Sequence, residues 1–315
     1  MSSVIINNIT KTYDATKVQA LQGISFNVND GELFGLIGPD GAGKTTLFRI
    51  LTTLIVPDSG TATLQFSSPL GEGPEGAYDV VKDYKAIRQR VGYMPGRFSL
   101  YQDLSVEENL EFFATVFNTT VEANYNLIKD IYIQIEPFKK RKAGKLSGGM
   151  KQKLALCCAL IHKPDLLLLD EPTTGVDAVS RKEFWEMLKN LKNQGITIIV
   201  STPYMDEASL CDRVALIQKG EILEVDPPRQ IIHNYKKPLW AVRSDNMFRL
   251  LNDLRNYEQT DSCYAFGDTH HLTLKNDNMT ADDIIHYLQK QNFHDIEVNK
   301  IEPNIEDCFM ALMKD

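Results

Sequence analysis

Short apolar runs separated by glycine and polar residues dominate the first forty positions. Residues 4–6, 24–28 and 33–37 are compact, rich in branched side chains, and predict three strands, the last of which enters a glycine-rich stretch directly. A helix is expected from Lys44 onward. Between residues 65 and 82 the chain carries SSPLGEGPEG and loses hydrophobic periodicity, which predicts an exposed loop insertion. Over 106–135 the pattern changes to helical spacing, with Leu110, Phe113, Val116 and Phe117 followed by Leu127, Ile128 and Ile131, as amphipathic helices of a packed subdomain require. An apolar strand at 166–169, a helix near 179–191 and a strand at 196–200 follow. Strands alternating with helices predict a mostly parallel sheet covered on both faces. After Asp226 and the Pro227, Pro228 pair, short strands at 240–242 and 271–274 alternate with helices at 247–254 and 281–289, the pattern of a small α+β unit.

Composition narrows the class. A chain of 315 residues accommodates one full α/β domain and a smaller unit, and 43% hydrophobic with 24% charged residues is ordinary for a globular protein. A net charge of −8 argues against nucleic acid as a partner, because neutralising phosphates takes clustered Lys and Arg. The longest unbroken apolar run, 154–161, falls far short of the roughly 18 to 20 residues that span a bilayer. The opening MSSVIINNIT does not have the form of a secretory signal, so a cytoplasmic chain is expected. Five cysteines without a CxxC pair or metal-ligand spacing read as reduced, buried thiols.

Chemistry concentrates in three segments. GPDGAGKT, residues 38–45, matches GxxxxGK[ST] between a predicted strand and a predicted helix, the context in which this motif binds nucleotide phosphates. Gly38, Pro39, Asp40, Gly41, Ala42 and Gly43 form a loop whose backbone N–H groups can cradle an anion, with Thr46 continuing it into the helix. Lys44 is expected to reach the β- and γ-phosphates of ATP, and the Thr45 hydroxyl to ligate Mg²⁺. LLLLDEP, residues 166–172, sets two carboxylates at the carboxyl end of a buried strand, where ligands of such sheets sit. Asp170 is suited to hold magnesium through a water, and Glu171 to polarise the attacking water.

The third segment is LSGGMKQK, residues 146–153, in which Ser147 caps a helix and Gly148 and Gly149 let backbone N–H groups approach a second anion. In this order and spacing the three segments resemble the ATP-binding cassette (ABC) family. The resemblance implies a P-loop NTPase (RecA-like) core with a helical subdomain at about 97–160, together an ATP-binding domain over residues 1–225, and a small α+β C-terminal accessory domain over 226–315. It implies that Tyr13 stacks on adenine, and that Thr174, Gly175, Val176 and Asp177 form the loop at the dimer interface. Cassettes of the family pair head to tail, so Ser147, Gly148 and Gly149 would serve the nucleotide of a second ATP-binding subunit, in a homodimer or a heterodimer. Residues 99–110 and 301–313 resemble stretches of drug and polyketide exporter ATPases. That implies separate transmembrane permease subunits and a place on the inner face of the cell membrane.

Two positions depart from the family. GYMPG carries Gly96 where a glutamine that contacts magnesium is usual, and Gln102 lies too far along to replace it without a change of loop length. In IVSTPYMDEA, Pro203 occupies the place of the switch histidine, and proline has neither a side-chain donor nor a backbone N–H. Losing one donor to the transition state costs about 10²–10³ in rate, so slow turnover is expected, with Glu171 retained as base. The losses touch only the site built on this chain's own phosphate loop, which predicts an asymmetric pairing with a partner that supplies both groups. A regulatory ATP-binding module and a non-transport ATPase of the same superfamily are the competing readings.

Overall fold

A computed structural model of the chain describes residues 2–66, 76–96 and 100–313. They form two compact units, Met1–Pro228 and Arg229–Asp315.

The first unit runs β1 (Ser2–Tyr13), β2 (Val18–Asn29), β3 (Leu33–Ile37), α1 (Lys44–Leu51), β4 (Ser59–Phe66), β5 (Gly76–Asp79), α2 (Tyr84–Arg90), β6 (Val91–Met94), α3 (Val106–Val116), α4 (Tyr125–Tyr132), α5 (Gly148–Leu160), β7 (Leu166–Asp170), α6 (Ala178–Asn193), β8 (Thr197–Thr202), β9 (Arg213–Gln218) and β10 (Glu221–Asp226). One sheet has the order β10-β9-β3-β8-β7-β6, with β9 to β6 parallel and β10 antiparallel at one edge. Every residue of β3, β7 and β8 is buried, which is why these strands read as unbroken apolar runs rather than alternating ones. The second sheet, β2-β1-β4-β5, is antiparallel, and β2 alternates so that Leu21, Ile24, Phe26 and Val28 face inward. Between the two sheets lies a core into which α1 inserts Leu47, Phe48, Ile50 and Leu51. Phe26 of β2 stacks on Phe34 of β3 at 5.3 Å. A helix of 8 residues is marginal alone, and burying such side chains at about 1.5–3 kcal/mol each is what holds α1 in place.

The loop insertion expected over 65–82 is corrected at both ends. Gln65 and Phe66 complete β4, and Gly76–Asp79 forms β5 paired with it in antiparallel register. Phe66 and Val80 are buried and the Arg90 guanidinium lies 4.5 Å over the Phe66 ring, so packing overrides the polar composition. The middle of that segment, 67–75, and positions 97–99 at the start of the expected helical subdomain lie outside the described residues. In that subdomain, Ser105 and Glu108 close a capping box on α3. Asn109, wholly buried, accepts from the Tyr101 N–H at 2.9 Å and donates to the Ser105 carbonyl at 2.8 Å, which ties the preceding turn to the helix.

The second unit contains α7 (Pro228–Asn234), which carries the chain across the division, then β11 (Leu239–Arg243), α8 (Met247–Asn256), β12 (Thr260–Phe266), β13 (Thr269–Leu274), α9 (Ala281–Lys290), β14 (Glu297–Ile301) and α10 (Ile305–Leu312). Its antiparallel sheet has the order β12-β13-β11-β14. Trp240, Val242, Leu250, Leu254, Leu272 and Ile284 form its core. β12 and β14 were not among the expected strands, since as edge strands they bury little and carry polar residues on the open face. Among the described residues no helix is long and apolar enough to cross a membrane.

Candidate functional site

The carboxyl end of β3 turns at Gly38, whose N–H donates to the Thr202 carbonyl at 3.2 Å. A Cβ at Gly38 would stand 2.1 Å from the Ile217 carbonyl oxygen, so no other residue fits between β3 and β9 there. Gly43 caps α1 with φ of 106°, a left-handed conformation that glycine adopts at least cost. Among the described residues no side chain caps α1, and no acidic residue occupies its first turn, which leaves the helix's free N–H groups and positive dipole end directed into the loop. The result is an open pocket of about 400 Å³ whose lining includes Gly41, Lys44, Thr45 and Glu171. Gln19 and Gln22 of β2 and Lys219 of the β9–β10 turn line it too. Those three were not foreseen, because no local motif marks them; Gly220 N–H bonding to the Ala42 carbonyl at 3.0 Å is what draws the turn against the loop.

Lys44 is buried at 3% exposure, and its ammonium donates to the carbonyls of Gly38 at 2.7 Å and Pro39 at 3.0 Å and pairs with the Glu171 carboxylate at 3.1 Å. Glu171 has φ of 50°, an uncommon conformation for a side chain of its size. It is pinned by its N–H, which lies 3.0 Å from the Ser201 carbonyl and 3.1 Å from the Ser201 hydroxyl. The parallel register of β7 on β8 sets Asp170 opposite Ser201, whose hydroxyl donates to the buried Asp170 carboxylate at 2.6 Å. The half-buried Thr45 has no hydrogen-bond partner for its hydroxyl among the described residues, so that oxygen is available to a ligand. Thr45 and Asp170 are hard oxygen donors that fit Mg²⁺, and no group of three or more His, Cys, Asp or Glu among the described residues could hold a metal alone. A cation here would therefore rely on phosphate oxygens and water for the rest of its shell. Tyr13, at the end of β1, reaches the same helix turn, its hydroxyl 3.3 Å from that of Thr46.

Ser147, Gly148 and Gly149 are elsewhere, and none of them lines the pocket. Ser147 caps α5 by accepting from the Met150 N–H at 3.3 Å and is itself exposed. A Cβ on Gly149 would lie 2.9 Å from the Ser180 hydroxyl, so this turn abuts the start of α6. There Asp177 accepts from the N–H groups of Ser180 at 3.0 Å and Val179 at 3.1 Å, bonds that hold its carboxyl below the usual range.

Gly96 lies against the acidic strand end, since a Cβ there would be 3.0 Å from the Asp170 carbonyl oxygen and 3.9 Å from its carboxyl carbon. The backbone of Gln102 is tied to the turn before α5, its main-chain carbonyl accepting from the Gly144 N–H at 2.9 Å, and its side chain is exposed. Pro203 follows β8 directly. Behind it stands a residue that no motif announced, Glu207, only 2% exposed. It accepts from the hydroxyls of Thr173 at 2.9 Å and Thr202 at 2.5 Å, with Arg181 Nε at 3.8 Å, so one carboxylate joins the acidic turn, the end of β8 and α6.

The sequence profile of the family described as ABC transporter matches residues 21–174. The chain is 37% identical over 314 residues to the probable multidrug ABC transporter ATP-binding protein YbhF of Escherichia coli (strain K12), a match covering 98% of this chain and 52% of that protein. It therefore spans about half the length of that relative. It is 38% identical over 237 residues to the Nod factor export ATP-binding protein I of Burkholderia lata, covering 74% of each. Among solved structures, a dimeric ATP-binding cassette in a post-hydrolysis state bound to ADP and Pi is 25% identical, with a TM-score of 0.60 over 71% of this chain and 98% of that one.

Proposed function

The chain belongs to the ABC transporter family, and from that premise we propose that it is an ATP-binding and ATP-hydrolysing subunit that powers transport, in the export direction, through separate membrane subunits. One observation carries the reading. Lys44 and Glu171 meet at 3.1 Å beside the uncapped start of α1, so a group that grips phosphate and a group that activates water share one pocket. The N–H groups of Gly41 and of Gly43 to Thr46 and the Lys44 ammonium would hold the phosphates, with Thr45 and Asp170 as protein ligands of Mg²⁺. When bound, that ion offsets charge developing on the phosphate oxygens. Glu171 accepts the proton of the attacking water, and Tyr13 offers its ring to the base.

The export direction rests on the names of the relatives, a multidrug protein and a Nod factor export protein. Because Ser147, Gly148 and Gly149 do not line the pocket, they serve the nucleotide held by a second ATP-binding subunit. Gly96 and Pro203 make this chain's own site the slow one of such a pair. Residues 226–315 act as an accessory domain. The same two departures favour, as a second reading, a regulatory module that binds ATP mainly to hold its partner.

The test is ATP binding and phosphate release by the wild type and Glu171→Gln, each alone and with the chains that co-purify from native membranes. Tight binding, slow release alone, and faster release with a membrane subunit and a second cassette are expected. Co-purification without any membrane protein, or release that the partners do not change, would overturn the transport reading.

A further inference from the structure

The turn that joins β9 to β10 consists of two residues, Lys219 and Gly220, closed by the pairing of Gln218 with Glu221. Both have positive φ, 49° and 81°, as the type I′ turn of such a hairpin requires. Asn, Asp or Gly is the usual first residue of that turn, and a lysine held there costs conformational energy. A strained backbone beneath a long cationic side chain points to a task for the side chain.

The turn is fixed against the phosphate loop. Gln22 of β2 donates its N–H to the Gly220 carbonyl at 2.8 Å and its side-chain amide to the Lys219 carbonyl at 2.5 Å, and the Gly220 N–H donates to the Ala42 carbonyl at 3.0 Å. A Cβ on Gly220 would lie 2.7 Å from the Ala20 carbonyl oxygen, so the turn is wedged between β2 and the loop. Lys219 is thereby brought to the wall of the phosphate pocket, exposed, with no partner for its ammonium among the described residues.

The charged residues that line the pocket are Lys44, Glu171 and Lys219. Lys44 and Glu171 offset each other at 3.1 Å, so Lys219 carries the one uncompensated positive charge among these lining residues. A nucleotide's phosphates bring several negative charges, which a single lysine already paired with a carboxylate balances poorly. Glu171 marks the end of the pocket where the terminal phosphate reacts, and Thr46, whose hydroxyl is 3.3 Å from that of Tyr13, marks the end of the base. Lys219 is tied through Gly220 to Ala42, in the middle of the loop.

Resting on the reading of this pocket as an ATP site, we propose that Lys219 binds α- and β-phosphate oxygens that face out of the loop, with Gln22 as its positioning residue. Those phosphates are held alike before and during hydrolysis, so losing the contact raises KM and leaves kcat unchanged.

The test measures binding of ADP and of β,γ-imido-ATP, each with Mg²⁺, to the full chain by titration calorimetry. Lys219→Asn suits the turn better than lysine, so its denaturant midpoint without nucleotide should equal or exceed that of the wild type. Both affinities should nevertheless fall by the same factor, about three- to tenfold, with kcat for ATP unchanged. Lys219→Arg should stay within about twofold of the wild type, and Gln22→Met should weaken both nucleotides about two- to threefold. Lys140→Met removes an exposed lysine outside the pocket and should alter neither affinity. The role of Lys219 falls if Lys219→Asn binds both nucleotides as the wild type does, if only β,γ-imido-ATP weakens, which would place the ammonium on the γ-phosphate, or if Lys140→Met weakens binding as much. Loss of binding in Lys44→Ala with no effect of Lys219→Asn overturns Lys219 alone, whereas a wild type that binds neither nucleotide overturns the ATP site as well.

Discussion

Lys44 and Glu171 are paired at 3.1 Å, and the lysine's other contacts are the loop's own carbonyls at Gly38 and Pro39. A phosphate entering the loop must take these donors over, so binding releases Glu171 from the ion pair as it positions Lys44. Glu171→Gln is therefore expected to bind ATP as tightly as the wild type or more so, because a negative charge beside the phosphates is removed. Hydrolysis should fall by about 10²–10⁴, the usual contribution of a general base. Equilibrium binding and single-turnover phosphate release check both, and an unchanged turnover would assign the base to another group.

Pro203→His restores a donor directly after β8, and if its loss is what slows the site, kcat should rise up to about 10²-fold at saturating ATP with little change in KM. Gly96→Gln is expected to help less when made alone. Its Cβ would lie 3.0 Å from the Asp170 carbonyl, so the strand end must yield by a few tenths of an ångström. A steady-state series of the two single variants and the double variant separates these effects. No gain in the double variant would locate the limiting step outside the phosphate site.

Glu207 holds together three segments distant in sequence. Glu207→Ala leaves the hydroxyls of Thr173 and Thr202 without their buried acceptor, and a cost of about 2–4 kcal/mol in denaturant unfolding is expected. Glu207→Gln keeps one acceptor oxygen and should cost less. Equal unfolding midpoints for wild type and Glu207→Ala would deny the network a structural role.

His162 stacks on Phe117 at 3.7 Å, its Nδ1 is buried without a hydrogen-bond partner among the described residues, and burial lowers its pKa to about 4. In the unfolded chain a histidine takes up a proton near pH 6.5, so the unfolded state binds more protons between about pH 6.5 and 4. Stability is fully present above that window and falls as pH drops through it, by about 3 kcal/mol for the drop from 6.5 to about 4. His162→Phe keeps the stacking and removes the titration. Its unfolding free energy should be flatter between pH 6.5 and 4 than that of the wild type.

Much of the site was legible because its parts are local. GPDGAGKT, LLLLDEP and LSGGMKQK each place their groups within one turn of a strand end or helix start, where hydrogen bonding and the helix dipole act on sequence neighbours. The buried strands were equally plain, since both faces of β3, β7 and β8 are covered. Illegible were the edge strands β12, β14 and β10 and the two ends of the 65–82 segment, where polar residues leave no clear apolar pattern, and β9, whose apolar run lies beside the polar turn into β10 and whose place in the sheet is set by pairing with the distant β3.

The sequence by itself determined that a phosphate loop enters a helix with an open N-terminus, that two carboxylates end a buried strand, and that Pro203 carries no donor. Only the tertiary structure decided which of these meet. The register of β8 against β7 and β3 sets Ser201 on Asp170 and Thr202 beside Ile37, and from there Glu207 closes on Thr173, Gly96 on Asp170, and Lys44 on Glu171. Such contacts depend on strand order and register, which are settled by burying the whole core at once, and no stretch of neighbouring residues encodes them.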